Sequence, residues 1–113
     1  MTNYERGNII LVPFPFSDQS TTKKRPAVVI SSDDYNENSP DIIIMAITSR
    51  IEQAFYMGEC FIENWQDAGL LRPSTAKPAI STIEKSLILK KLGKLSPRDL
   101  TSIDKVLKKL IKL

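Results

Sequence analysis

The chain of 113 residues contains no histidine, which removes imidazole acid–base catalysis, Ser-His-Asp triads and most zinc sites. Its single cysteine, Cys60, permits no intrachain disulfide and furnishes no Cys-rich metal cluster. Set beside Phe61 and Ile62, it reads as a buried, inert thiol rather than a nucleophile. No metal and no cofactor is expected. The longest apolar run, Ile42 to Ile47, spans six residues against the ~18 to 20 that cross a bilayer, so no membrane span is expected. Met1 to Arg6 are polar and mixed in charge, unlike a secretory signal, and the expected location is the cytoplasm.

What is present suits one compact domain over residues 1–113, long enough to bury roughly 65% of its unfolded surface. Hydrophobic residues make up 42% and charged residues 26%, a globular balance that argues against a disordered tail or a rod. The net charge of +3 hides an asymmetry. Residues 1–84 hold seven Lys/Arg against eleven Asp/Glu, and residues 85–113 hold nine against two. A basic block suits either a polyanionic partner or the solvated face of a helix.

The first two thirds read as strands separated by turn residues. Ile9 to Val12, followed by Pro13-Phe14-Pro15-Phe16, predicts a buried strand with a proline-stiffened exit. Ser17 to Lys24 carries no apolar residue and predicts an exposed loop. Ala27 to Ile30 predicts a second strand, and Ser31 to Pro40 a long loop or short helical turn. Ile42 to Ile47, β-branched and without polar alternation, predicts a central strand covered on both faces. Phe55 to Ile62, broken by Gly58, is a further strand candidate, and Glu63 to Gly69 reads as one helical turn stopped by glycine. Thr75 to Ile83 and Leu87 to Leu89 are weaker strands. Ser96-Pro97-Arg98-Asp99 then supplies an N-cap serine, a proline at the first helical position and an acid at the third. Leu100, Ile103, Val106, Leu107, Leu110 and Ile111 follow at helical spacing, with Lys105, Lys108, Lys109 and Lys112 largely opposite. Several short strands with one terminal amphipathic helix predict a mainly β (α+β) fold, a small bent sheet or barrel.

Three blocks, Gly7 to Phe16, Lys24-Arg25-Pro26-Ala27-Val28-Val29-Ile30-Ser31 and Ile47-Thr48-Ser49, closely resemble the MazF/PemK toxin family in order and spacing. Ala68-Gly69-Leu70, Pro73-Ser74 and Gly93 to Ser96 resemble its later signatures, so the resemblance covers nearly the whole chain. It implies an SH3-like β-barrel of the CcdB/PemK type with a C-terminal helix. It also implies a homodimeric, metal-independent, sequence-specific endoribonuclease, the toxin of a type II toxin–antitoxin system, neutralised by an antitoxin protein. The family's catalytic positions fall on Arg25 and Thr48. Many members carry a glycine and a glutamate in the loop before Arg-Pro, whereas Ser17 to Lys24 has neither, a departure that bears on loop conformation and RNA preference.

The residue chemistry is compatible with that implication. Without histidine or metal, single-stranded RNA is most easily cut by its own 2′-hydroxyl, leaving 2′,3′-cyclic phosphate and 5′-hydroxyl ends. The protein then has to orient the attack and stabilise charge on the phosphoryl oxygens, for which a guanidinium fork is well matched. Pro26 holds Arg25 in an extended backbone at the strand edge. Thr48 would hydrogen-bond the same phosphate, with Ser49 as a helper, and the residues leave the general base unassigned. RNA contacts are expected from Lys23, Lys24 and Arg50 on phosphates and from Ser20, Thr21 and Thr22 on sugar or base edges. Lys77 resembles a family position near the RNA groove, and Trp65 reads as an anchor for its own turn. Absent the resemblance, Arg25 would be an ordinary strand-edge cation, and Thr48 and Ser49 local backbone partners. Two alternatives stay open: a noncatalytic SH3-like RNA-binding module, and a CcdB-like gyrase poison. The latter's C-terminal Trp-Gly-Ile is replaced here by Leu110-Ile111-Lys112-Leu113.

Overall fold

The computed structural model describes residues 3–14, 23–50 and 58–113. Among these residues six strands form one antiparallel sheet: β1 (Asn8–Phe14), β2 (Lys23–Val29), β3 (Asp41–Thr48), β4 (Cys60–Phe61), β5 (Thr75–Glu84) and β6 (Lys90–Lys94), in the order β4-β5-β3-β2-β1-β6. Helix α1 (Asp33–Asn38) joins β2 to β3, and α2 (Pro97–Ile111) ends the chain.

The central strand divides its side chains between two apolar layers because successive residues point to opposite faces. Met45 and Ile47 join Ile9, Val28, Ile62 and the α2 residues Ile103 and Leu107 on one face. Ile42, Ile44 and Ala46 join Ile10, Val12, Ala27 and Val29 on the other, where Tyr4, Ala79, Ile83 and Ile88 complete the packing. A strand fully covered this way needs no polar alternation, which accounts for the Ile-rich run.

Helix α2 starts where its capping residues dictate. The Ser96 hydroxyl accepts from the Asp99 amide at 3.2 Å. Asp99, buried to 1% exposure, reaches back across the fold: its carboxylate accepts from the amides of Glu63 at 3.0 Å and Asn64 at 2.9 Å, while the Ser96 hydroxyl beside it donates to Asn64 Oδ1 at 2.8 Å. The capping acid therefore also pins the segment that follows β4. That segment closes as a Schellman motif, with Gly69 N–H donating to Gln66 O, Leu70 N–H to Trp65 O, and Gly69 at φ +88°. Trp65 and Leu70 pack on the α2 side of the sheet, so the tryptophan anchors its turn as expected.

The sheet curls into a half-barrel, and among the described residues its edge strands β4 and β6 do not pair with each other. The Schellman turn spans the gap by direct backbone contact. A Cβ on Gly69 would overlap the Leu92 carbonyl, and one on Gly93 would overlap the Ala68 carbonyl.

Three expectations shift in the structure. Strand β2 begins at Lys23, so Lys23 and Lys24 belong to it and not to the loop before it. Leu87 ends a 3-10 turn over Lys85–Leu87, and the last strand begins at Lys90 rather than within Leu87 to Leu89. Of that run only Ile88 reaches the core, while Leu87 and Leu89 are exposed. The candidate strand from Phe55 shrinks to Cys60–Phe61 among the described residues, since 55–57 lie outside them. Cys60 is buried, and burial, followed by the nearby Asp99 and Glu63 carboxylates, pushes its thiol pKa up, in keeping with an inert thiol. No helix among the described residues is long and apolar enough to cross a membrane.

Candidate functional site

The β2–β3 ladder runs from Val29↔Ile44 to Ala27↔Ala46 and stops there. Carrying the same register two residues further along each strand brings Arg25 opposite Thr48. Pro26, which has no N–H to offer a ladder, lies between Arg25 and the last pair. The strands part at this end, and a groove of about 740 Å³ opens there. Its wall includes Arg25, Pro26, Thr48 and Ser49, together with residues of the 69–74 segment and of β6. Both Arg25 and Thr48 are half-buried, positioned by regular strands instead of loops.

Thr48 is held in a defined way. Its Oγ1 accepts from the Arg50 amide at 3.1 Å, a local turn that occupies one lone pair and leaves the hydroxyl proton available. On its other side Thr48 pairs with Thr75 of β5, which in turn pairs with Phe61 of β4. One row therefore crosses the paired strands through Phe61, Thr75 and Thr48, and Arg25 lines the groove beyond it.

The groove carries charge of one sign. Lys23, Lys24, Arg25, Arg50, Arg72, Lys90 and Lys91 all line it, and no Asp or Glu among the described residues does. The ion pairs among the described residues lie elsewhere, Arg6 with Asp104 and Lys94 with Glu5. Lys91 is partly engaged, its ammonium donating to the Asn3 carbonyl at 2.8 Å and lying 5.5 Å from the Tyr4 ring centre. A concave surface with low-dielectric walls and uncompensated cations concentrates its field, which favours an anionic occupant. Among the described residues no three His, Cys, Asp or Glu side chains gather as a metal site would require.

Of the residues picked from the sequence, Lys23, Lys24, Arg25, Thr48, Ser49 and Arg50 meet in this groove. Ser20, Thr21 and Thr22 lie outside the described residues. Lys77 is exposed and does not line the groove. The reason is a register shift: β3 advances from Met45 to Ile47 while β5 advances from Ile80 to Ala76, so Lys77 sits in the irregular stretch around Pro78. Sequence reasoning missed Arg72, Lys90 and Lys91, which arrive from the segment after the Schellman turn and from the edge strand. It also missed Leu71, 94% exposed on the groove wall.

Comparison with known proteins bears on the same framework. The model of the family described as PemK-like, MazF-like toxin of type II toxin–antitoxin system matches residues 5–111. No curated protein sequence matches the chain. Among solved structures, the fold is similar to MazF from Deinococcus radiodurans, at 19% identity and TM-score 0.77, with 100% of each chain covered. It is similar to an endoribonuclease from a mycobacterial species, solved in complex with its cognate antitoxin, at 16% identity and TM-score 0.76, covering 100% of this chain and 97% of that one. Mycobacterium tuberculosis toxin MazF-mt6 matches at 15% identity and TM-score 0.76, covering 94% and 97%.

Proposed function

The chain belongs to the family of PemK-like, MazF-like toxins of type II toxin–antitoxin systems, and from that premise we propose that it is a metal-independent, sequence-specific endoribonuclease acting on single-stranded RNA. The observation that supports this reading most is the meeting of Arg25 and Thr48 in a cationic groove free of described carboxylates. In the reaction the substrate's 2′-oxygen attacks the adjacent phosphorus, the bond to the 5′-oxygen breaks, and the products are a 2′,3′-cyclic phosphate and a 5′-hydroxyl. The proton lost from the 2′-hydroxyl is balanced by the one the 5′-oxygen gains. Arg25, always protonated, braces the phosphoryl oxygens with parallel N–H donors as their charge grows. Thr48 donates its hydroxyl proton to one of them. Both interactions strengthen as negative charge develops, which is what accelerates the step. Lys23, Lys24, Arg50 and Arg72 hold neighbouring phosphates and set the register of the strand.

The toxin acts in the cytoplasm as a homodimer, and a partner antitoxin inhibits it by laying an acidic segment over the same cations. The test is incubation of the purified protein with single-stranded RNA in excess EDTA. Fragments bearing 5′-hydroxyl and cyclic phosphate ends are expected. Cleavage only on adding magnesium, or 5′-phosphate products, would refute the mechanism; RNA binding without fragments would leave the noncatalytic module as the function.

A further inference from the structure

We propose that Thr75 is a positioning residue that turns the Thr48 hydroxyl into a fixed hydrogen-bond donor toward the scissile phosphate. The inference rests on the reading of Arg25 and Thr48 as the reaction centre and adds a residue to it. Thr75 is 2% exposed, and its Oγ1 is the buried side-chain polar atom that finds no hydrogen-bond partner among the described residues. A buried hydroxyl without a partner costs free energy that a valine of the same shape would not. A strand interior built only for packing has no use for it.

Its neighbours say where the missing bond belongs. Thr75 faces Thr48 across the β3–β5 ladder and is flanked on its other side by Phe61, which offers a hydroxyl nothing to bond. Directly opposed residues of an antiparallel pair share a face and hold their Cβ atoms ~4.5–5.5 Å apart. Rotation about the Thr75 Cα–Cβ bond between staggered positions therefore carries its oxygen toward Thr48 Oγ1, to the ~2.7–2.8 Å of a hydroxyl hydrogen bond.

The consequence follows from counting lone pairs. A hydroxyl has one proton to donate and two lone pairs to accept with. Thr48 Oγ1 already accepts from the Arg50 amide. When Thr75 O–H donates to the second lone pair, both acceptor positions are filled, and the one bond left for Thr48 is to donate into the groove. A hydroxyl that would otherwise rotate becomes directional, aimed where phosphoryl charge develops and costing no reorganisation at the moment of reaction.

The experiment compares wild type, Thr75→Val and Thr75→Ser in RNA cleavage under EDTA, with each variant's melting temperature measured alongside. Thr75→Val is expected to lower kcat about tenfold, the scale of one lost hydrogen bond, with KM raised a few-fold at most. Its melting temperature should stay close to that of wild type, because valine keeps the shape and the lost hydroxyl bond is offset by the desolvation it no longer costs. Thr75→Ser, which keeps the hydroxyl, should restore kcat. In a Thr48→Val background, Thr75→Val should have no further effect, since it acts through Thr48. Affinity for an uncleavable 2′-deoxy oligonucleotide reads the same phosphate contact without turnover and should fall a few-fold in Thr75→Val. That arm stands even where wild type does not cut, an outcome that would overturn the nuclease reading instead. Wild-type kcat and oligonucleotide affinity in Thr75→Val, or an equal loss with and without Thr48, would overturn the role of Thr75.

Discussion

Replacing Asp99 with asparagine keeps the shape of the side chain and changes one acceptor atom into a donor. The two carboxylate oxygens each face a backbone donor, Oδ1 the amide of Glu63 and Oδ2 the amide of Asn64. Whichever way the asparagine turns, its NH2 points at a backbone N–H. Either orientation gives up one of the two amide bonds and keeps the other. A hydrogen bond to a charged group contributes about 1.5–3 kcal/mol, and the stranded amide adds its own desolvation cost. Loss of the negative charge at the α2 N-terminus removes about 0.3–1 kcal/mol more. Together these put the destabilisation near ~3 kcal/mol, or a melting temperature lower by roughly 12 °C at about 4 °C per kcal/mol for a domain of this size. Thermal melts and urea titrations at pH 7 measure it. A second readout is chemical: the Asp99 charge helps hold the Cys60 thiol pKa up, so the thiol in the variant should ionise at lower pH. A melting temperature within about 2 °C of wild type would show that the buried carboxylate is not the clamp between α2 and the segment after β4.

Arg25→Ala should reduce cleavage by about 10² to 10³ with the melt unchanged, and Arg25→Lys should also be severely impaired because a point charge lacks the fork; near-normal turnover of either removes Arg25 from the centre. Arg72→Ala should weaken binding of uncleavable single-stranded RNA and reduce its log–log salt slope by about 0.7, the share of one phosphate contact, and an unchanged slope would take Arg72 off the RNA path. The antitoxin's acidic segment and that RNA should displace each other in a competition titration, whereas a ternary complex would refute a shared groove. Cys60 ionises at its ordinary value in the unfolded chain and higher in the folded one. The unfolded state thus loses its proton first, and the thiol's contribution to stability falls as pH climbs above about 8.5. The stability gap between wild type and Cys60→Ala should accordingly narrow from pH 7 to pH 10, and a constant gap would contradict the shift.

Strong local signals were readable without coordinates. Ile42 to Ile47 announces a strand covered on both faces, Ser96-Pro97 starts α2, and Gly69 ends the Trp65 turn, because each depends on a few adjacent residues. Arg25 and Thr48, the proposed reaction centre, were singled out through the resemblance, and both line the groove at the end of the β2–β3 ladder. What escaped depends on long-range assembly. Lys90-Lys91-Leu92-Gly93-Lys94 lacks an apolar pattern and becomes a strand only because the free edge of β1 pairs with it. Arg72 and Lys90 enter the groove from segments that no local pattern joins. Lys77 fell short because the register shift around Pro78 is set by pairing with β3, not by the sequence of β5 alone. Thr75 looked like one more β-branched residue until its unpartnered oxygen showed otherwise.

The contact of Gly69 and Gly93 across the open side of the half-barrel decides which positions there tolerate substitution. The seam uses backbone against backbone, so it imposes its demand on two positions and almost none on the side chains strung beyond it. Leu71 and Arg72 hang from a segment anchored at Gly69 and returned to the sheet at Thr75, where substitution changes what the groove wall presents without moving its path. Residues 71 and 72 should therefore accept substitution without loss of the fold, while a side chain at either glycine would pry the seam apart.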